Sequence, residues 1–262
     1  MKTIMKFFLF CVFLTANASA VAHEAKAYLD ASKEFEGMVA QSQSVGKMPR
    51  IEDKKVAGLI AVLSDSERFL KSPTYYVQDV DALMDICEKS KAAVMSYVLF
   101  DFRKIDPRSN QVALELSRLT EKNIQTFQGE LEQLQPFQIR CMGKAIPLLN
   151  DFITGLPPHK FTEKRRAGFE QMRGGIMRDL TTILRDAYNP AYNESYRLKL
   201  LQAVSDSAPA YSSALQPASR RQLRDLAKSG SGQAGVPKDF NPYIEQISNA
   251  LAGTDCVGLC GI

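Results

Sequence analysis

Histidine is scarce in this sequence: its 262 residues include two, His23 near the N-terminus and His159 in the loop at 157–160. Neither belongs to an H-E-x-x-H pattern and no G-x-S-x-G is present, so the sequence does not support a histidine-bound metal hydrolase or a serine nucleophile with a histidine base. Calcium-loop spacing of acidic residues and a glycine-rich phosphate loop are also missing. We therefore expect no cofactor and no metal ion, and we expect His159 to be a solvated loop residue.

Long apolar runs are missing as well. The run at 7–14 follows Lys2 and Lys6 and precedes the small residues at 18–20. It is shorter than the roughly 20 residues that cross a bilayer, but a basic start, an apolar stretch and a small-x-small site are typical of a secretory signal peptide. Cys11 lies inside the run and not at the cleavage point, so we expect no lipid anchor.

We predict that residues 1–20 are this signal peptide, cleaved near Ala20 or Ala22. The mature chain then begins at Val21 or His23, contains no transmembrane segment and is periplasmic or secreted. Its roughly 240 residues suit one large domain or two small ones.

A strong charge of one sign is also lacking. The formal net charge is +4, and loss of Lys2 and Lys6 with the signal peptide leaves 31 basic and 29 acidic residues. Because basic and acidic residues are interspersed, the pattern is typical of solvated helix faces. The sequence gives no case for a nucleic-acid partner.

Four cysteines remain after cleavage, and an even count in an exported chain predicts two disulfides. Cys87 shares a helical face with Val80, Met84 and Val94, and Cys141 shares one with Ala145 and Leu148. This phase favours Cys87 with Cys141, which leaves Cys256 to close a short terminal loop with Cys260. Metal binding is the alternative, but the spacing lacks two C-x-x-C knuckles.

Apolar residues recur at helical period through nearly the whole chain, without the alternation that indicates strands. The sequence therefore predicts an all-α multi-helix bundle. The main helical body is expected over residues 21–228. The sequence leaves open whether this body divides into two helical halves near residue 157. The composition at 229–239 predicts a flexible linker, followed by a C-terminal helix and disulfide-bearing tail at 240–262.

Carboxylates are the remaining candidates for chemistry, since a pair of them can cleave a glycosidic bond without histidine. The candidates are Glu115, Glu121, Glu163 and Glu170. Each stands among charged neighbours on a face that reads as solvated, whereas a catalytic acid needs apolar surroundings that raise its pKa. No residue is therefore assigned as catalytic.

Two surface patterns are candidates for partner contact. Basic residues are frequent over 160–178, and Arg220, Arg224 and Lys228 recur every four residues in a predicted helix. Tyr188, Tyr192 and Tyr196 recur at the same spacing and form an exposed ridge if the helix continues past Pro190; exposed tyrosines suit protein contact. Solvated basic faces and tyrosines packed between helices are the competing interpretations.

The leading hypothesis is an exported, non-enzymatic helical protein that acts by protein–protein interaction. Its expected partner is another envelope or secreted protein, and an inhibitor or immunity-type role and an envelope accessory role both fit. A cell-wall glycan hydrolase that uses carboxylates is the alternative. The sequence does not fix the partner or the oligomeric state.

Overall fold

The computed structural model describes residues 2–253, 256 and 258–262, with side chains from residue 21 onward. The predicted signal peptide, 1–20, lies outside the residues whose side chains are described. Over the described part, the chain is all-α and contains no strand, as the helical periodicity predicted. Its helices are α1 (Lys2–Ser44), α2 (Lys54–Leu63), α3 (Val80–Val98), α4 (Val112–Thr126), α5 (Gln128–Thr154), α6 (Glu163–Tyr188), α7 (Glu194–Ala214), α8 (Pro217–Gly230) and α9 (Asn241–Ala250).

Local signals in the sequence account for several helix starts. The Asp53 carboxylate accepts hydrogen bonds from the backbone N–H groups of Lys55 and Val56 at the start of α2, and Thr162 caps α6 in the same way. Pro217 opens α8, where a proline costs no hydrogen bond because the first helical N–H has no partner within the helix. These caps satisfy backbone groups that a helix end leaves unpaired.

Helix α5 is the centre of the bundle. It packs against α3 on one side and α7 on the other, while α1 and α2 complete the first side and α6, α8 and α9 the second. The buried apolar residues of both sides form one continuous core. The break at 155–158 therefore does not separate two cores.

Several helix boundaries predicted from proline positions differ from those in the structure. The Asp106-Pro107 pair predicts a long helix with a kink near Pro136. In the structure, α4 begins at Val112, and the helix is interrupted at Phe127, which separates α4 from α5. Pro136 and Pro147 both lie inside α5, and Pro209 lies inside α7. Packing on both sides of these helices outweighs the loss of one backbone hydrogen bond per proline.

The C-terminal segment is held against the body. Phe240, Ile244 and Ile247 are buried against α7 and α8. In the expected linker, the Gly235 carbonyl accepts a hydrogen bond of 2.8 Å from the Arg197 guanidinium. The terminal helix is therefore an integral layer of the bundle.

Two disulfides are present, Cys87–Cys141 and Cys256–Cys260, which is the pairing that helical phase favoured. The first joins α3 to α5. The tail with the second docks between α5, α6 and α7: the Asn150 side-chain oxygen accepts from the backbone N–H of Leu259 at 3.0 Å, and Arg173 donates to the Leu259 carbonyl at 3.0 Å. Gly258 has a φ of 57° and lies so close to Asn150 that a Cβ would be 2.5 Å from its side-chain oxygen, so this position requires glycine.

Candidate functional site

A groove lies between α3 and α6, with α5 as its floor and α4 beside one end. It consists of two adjoining cavities of about 480 and 460 Å³. We call the cavity that α4 lines the polar lobe and the other the methionine lobe. The size of each is within the range of small ligand sites.

An ion pair spans the groove where the two lobes meet. Lys91 of α3 donates to Asp179 of α6 at 2.7 Å, and both side chains are close to half exposed. Both residues line both lobes. This pair therefore links the two walls at the junction of the lobes.

Two glutamines of α5 form the floor. Gln135 and Gln138 are each 7% exposed, and both line the polar lobe. The Tyr196 hydroxyl donates to the side-chain oxygen of Gln135 at 2.5 Å. The Gln138 amide lines both lobes and has no hydrogen-bond partner among the described residues. The residue is mostly buried, but its amide atoms are not among the fully buried polar atoms that lack a partner, so they are reached from the groove and can pair with water or a ligand.

Two carboxylates of the polar lobe come from different helices, Asp186 from α6 and Glu121 from α4. Burial, and to a smaller extent the negative charge of Glu121, raises the pKa of the Asp186 carboxyl to about 7. A carboxyl with this pKa can exchange a proton near neutral pH. No described residue forms a hydrogen bond or ion pair with the Asp186 side chain.

The methionine lobe is more apolar. Met84 of α3, Met142 of α5 and Met172 of α6 contribute to its lining, and Gly168 and Gly175 form part of its α6 wall. A Cβ added at Gly175 would meet nothing within 4 Å. A glycine pair inside a helix indicates either close packing against a neighbouring helix or a ligand that approaches the backbone. At Gly175 the structure has open space.

The predicted tyrosine ridge is not an exposed surface. Helix α6 ends at Tyr188 and α7 begins at Glu194, so the three tyrosines do not share one helix. Tyr188, Tyr192 and Tyr196 are all buried, and the Tyr188 hydroxyl donates to the Ala227 carbonyl at 3.0 Å. They pack between helices because each ring removes a large apolar area from water while its hydroxyl reaches a partner. Only Tyr192 reaches the groove.

The predicted basic face of α8 is also not one exposed stripe. Arg220 is 2% exposed, Arg224 is half-buried and Lys228 is exposed. Reversing the charge of Arg220 would therefore disturb packing and would not probe a surface. In the other basic segment, Lys160, Lys164, Arg165 and Arg166 are exposed, whereas Arg173 binds the C-terminal tail.

Of the four candidate glutamates, Glu121 alone lines the groove. Glu163 and Glu170 are exposed on α6, and Glu115 accepts a hydrogen bond from Ser109 at 3.0 Å. His159 is exposed. Within the described part of the chain, no group of three or more histidine, cysteine or acidic side chains is arranged to hold a metal ion.

Sequence reasoning missed Asp186, Gln135 and Gln138. Helical phase is the sequence feature that could have identified the two glutamines as buried, because they fall among the buried residues Leu134, Phe137 and Cys141 of α5. A polar amide on an apolar face indicates either an internal hydrogen bond or a cavity. The sequence offers no way to tell which of the two applies.

No protein-family model matches the chain, and no significant match was found among curated proteins or solved structures. In the described helices, no stretch is sufficiently long and apolar to traverse a membrane.

Proposed function

We propose that this is an exported protein that acts by binding another envelope or secreted protein. The observation that carries the proposal is the apolar surface around the start of α4. Among residues 21–253, 256 and 258–262, seven large apolar side chains are more than a third exposed, and four of them belong to the stretch 102–116, namely Phe102, Val112, Leu114 and Leu116. Several exposed apolar side chains within one short segment are unfavourable in water, and exposed apolar surface of this kind marks sites of macromolecular contact.

The position of α4 supports this role. Its buried residues, Asn123 and Ile124, lie near its C-terminal end, so the first two turns project from the bundle. The Asn123 amide donates to the carbonyls of Val98 and Phe100, which fixes the base of the helix at the end of α3. A helix anchored at one end and apolar at the other can present its side chains to a partner's surface.

Cross-linked capture tests the proposal. Mature protein, residues 21–262, is cross-linked in the native envelope fraction and its adducts are identified by mass spectrometry. We expect one stoichiometric protein partner. Its recovery should fall at least tenfold with the double variant Leu114→Lys and Leu116→Lys, because burying unpaired charges opposes association.

Val45→Lys is the matched control, since Val45 is exposed at the end of α1. This variant should recover the partner normally. Equal recovery with the α4 variant, or no protein adduct from the wild type, would contradict the proposal.

Export is a separate part of the proposal. It is supported by the signal-peptide pattern of residues 1–20 and by two disulfides, which persist in oxidising compartments. Val21 is 3% exposed and packs in the core, which favours cleavage after Ala20 over cleavage after Ala22. N-terminal sequencing of the exported protein should therefore give Val21. A first residue of Met1, or a protein that stays in the cytoplasm, would contradict export.

A glycan hydrolase is the second candidate, and the Asp186 carboxyl favours it. A carboxyl with a raised pKa that shares a cleft with a second carboxyl is the arrangement of a glycosidase pair, and Asp186 and Glu121 line one lobe. Release of reducing ends from peptidoglycan, abolished by Asp186→Asn and by Glu121→Gln but not by Glu163→Gln, would establish this activity. No release by the wild type would exclude it for that substrate.

A further inference from the structure

We propose that the groove between α3 and α6 holds an extended segment of the partner protein, with a lysine or arginine side chain in the polar lobe and an apolar side chain in the methionine lobe. This inference rests on the proposed function, but it concerns a different surface from the exposed start of α4. The two can therefore fail independently.

The floor provides the first argument. Gln138 is 7% exposed, lines both lobes and has no described hydrogen-bond partner. Its carboxamide has donors and an acceptor side by side. A peptide bond has one donor and one acceptor, so a backbone that reaches both lobes can pair with this amide once the half-exposed Lys91–Asp179 pair at their junction has opened. Gln135, one helical turn away, has its oxygen occupied by Tyr196, which leaves its N–H groups for a ligand carbonyl.

Charge provides the second argument. Asp186 and Glu121 line the polar lobe, and the Asp186 carboxyl has no described hydrogen-bond or ion-pair partner. Lys91 is already paired with Asp179. Arg185 of α6 also lines this lobe; it is exposed and forms no ion pair with Asp186 or Glu121 among the described residues. Two effects disfavour the ionised form of Asp186: its partial burial and the repulsion by Glu121. A cation that binds between the two carboxylates offsets both. A lysine or arginine side chain of the partner meets this requirement.

The methionine lobe provides the third argument. Met84, Met142 and Met172 have flexible, polarisable side chains that adapt to apolar groups of varied shape. The glycine wall leaves the α6 backbone open at Gly175. An apolar side chain on the same segment is thus the complement of this lobe.

The rings of the groove disfavour a glycan as its occupant. Tyr192 and Tyr211 line the two lobes, but each is 5% exposed. The Tyr211 hydroxyl is bonded to the Ile139 carbonyl at 2.8 Å. Neither tyrosine therefore presents an open ring face on which a sugar could stack.

The test uses two pools of end-capped heptapeptides on the oxidised mature protein. One pool has lysine fixed at the centre with all other positions randomised; the matched pool has glutamate at the centre. We expect at least tenfold greater retention of the lysine pool. Sequencing of retained peptides should show apolar residues enriched at a fixed distance from the lysine.

Gly175→Leu is the main variant, because its new side chain enters the methionine lobe without displacing any atom within 4 Å of the Cβ. It should lower retention at least tenfold and abolish the apolar preference. Gly37→Leu is the matched control: Gly37 is exposed on α1 and its Cβ would also meet nothing within 4 Å. Its retention should equal that of the wild type. Gln138→Leu should lower retention of every peptide, since its amide is proposed to bind the backbone.

Equal retention of the two pools would overturn the inference, as would normal retention by Gly175→Leu. Binding of N-acetylglucosamine oligomers, lost in Gly175→Leu and without peptide retention, would assign the groove to a glycan instead. If the cross-linked partner is captured equally by the wild type and by Gly175→Leu, protein binding stands and the groove is not its site. If capture fails but the lysine pool is retained selectively, the groove binds peptides and the α4 proposal fails.

Discussion

At the scale of single residues, Asp186 combines partial burial with an environment that holds no described hydrogen-bond donor for its carboxyl. The folded state therefore favours the protonated acid, whose pKa is about 7, whereas an unfolded aspartate has a pKa of about 3.9. As pH rises from about 4 to about 7, the unfolded chain has released this proton and the folded chain has not. Folding stability consequently falls over this window and is lowest, for this group, above pH 7.

Asp186→Asn should remove this pH dependence. We expect the free energy of unfolding at pH 8 to rise by about 1–3 kcal/mol relative to the wild type, and the difference to vanish near pH 4, where both forms are neutral. Urea unfolding at the two pH values measures it. Glu163→Gln, on an exposed part of α6, should change stability by less than about 0.5 kcal/mol at either pH. A stabilisation that is equal at pH 4 and pH 8 would show that ionisation is not its cause.

The same titration bears on binding in the groove. The charged or titratable groups that line the polar lobe around Asp186 are Glu121 of α4, Lys91 of α3, Asp179 and Arg185 of α6, and Tyr192; α5 contributes the uncharged Gln135 and Gln138. Because a bound lysine is attracted by ionised Asp186, retention of the lysine pool should increase severalfold between pH 6 and pH 8. In Asp186→Asn the increase should disappear. Retention that is independent of pH in the wild type would place the cation elsewhere.

At the scale of helices, α5 and α7 cross closely in the bundle core. A Cβ added at Gly143 of α5 would lie 2.5 Å from both the Cβ and the hydroxyl oxygen of Ser207 on α7. The two backbones can approach this closely only because the position has no side chain. Since α5 carries the floor glutamines and the Cys141 half of a disulfide, this crossing also sets where the groove floor lies.

Gly143→Ala should destabilise the protein by about 1–3 kcal/mol, because the overpacking exceeds the gain in helix propensity of about 1 kcal/mol. Ser207→Gly in the same chain should recover part of the loss by removing the opposing Cβ. Thermal unfolding followed by circular dichroism provides the comparison. Gly175→Ala, where a Cβ meets nothing, is the matched control and should be neutral or stabilising by up to about 1 kcal/mol. Equal effects at the two glycines would contradict the close crossing.

At the scale of the whole molecule, the two disulfides close loops of very different length. Cys87 and Cys141 are 54 residues apart and join two central helices, whereas Cys256 and Cys260 are 4 apart within the tail. In the chain-entropy account, a disulfide stabilises by restricting the unfolded chain, and the effect grows with the loop it closes.

Replacing Cys87 and Cys141 together by alanine should lower the free energy of unfolding by about 4 kcal/mol, and replacing the terminal pair should lower it by about 2 kcal/mol. Chemical denaturation of the oxidised proteins measures both. Each double variant keeps the other disulfide, so the two variants serve as controls for each other. A larger loss from the terminal pair would mean that tail docking through Leu259 depends on its bridge.

The all-α class and the disulfide pairing could be predicted from the sequence, because both follow from local helical periodicity. Cys87 and Cys141 lie on buried faces, as their phase predicted. Thr162 and Pro217 are residue types that favour helix starts, and both stand at one. The continuation of α5 through Pro136 and Pro147 and of α7 through Pro209 could not be predicted, since packing from both sides decides whether a proline is tolerated inside a helix.

Which polar side chains face a common space depends on how the helices pack. Asp186 and Glu121 are 65 positions apart in the chain, and they line one cavity because α4 lies beside one end of the groove that has α6 as a wall. Burial of Arg220 and of the three tyrosines was decided in the same way, by neighbouring helices that cover them. Helical phase shows which residues share a face, but the other helices determine whether that face meets a core, a groove or water.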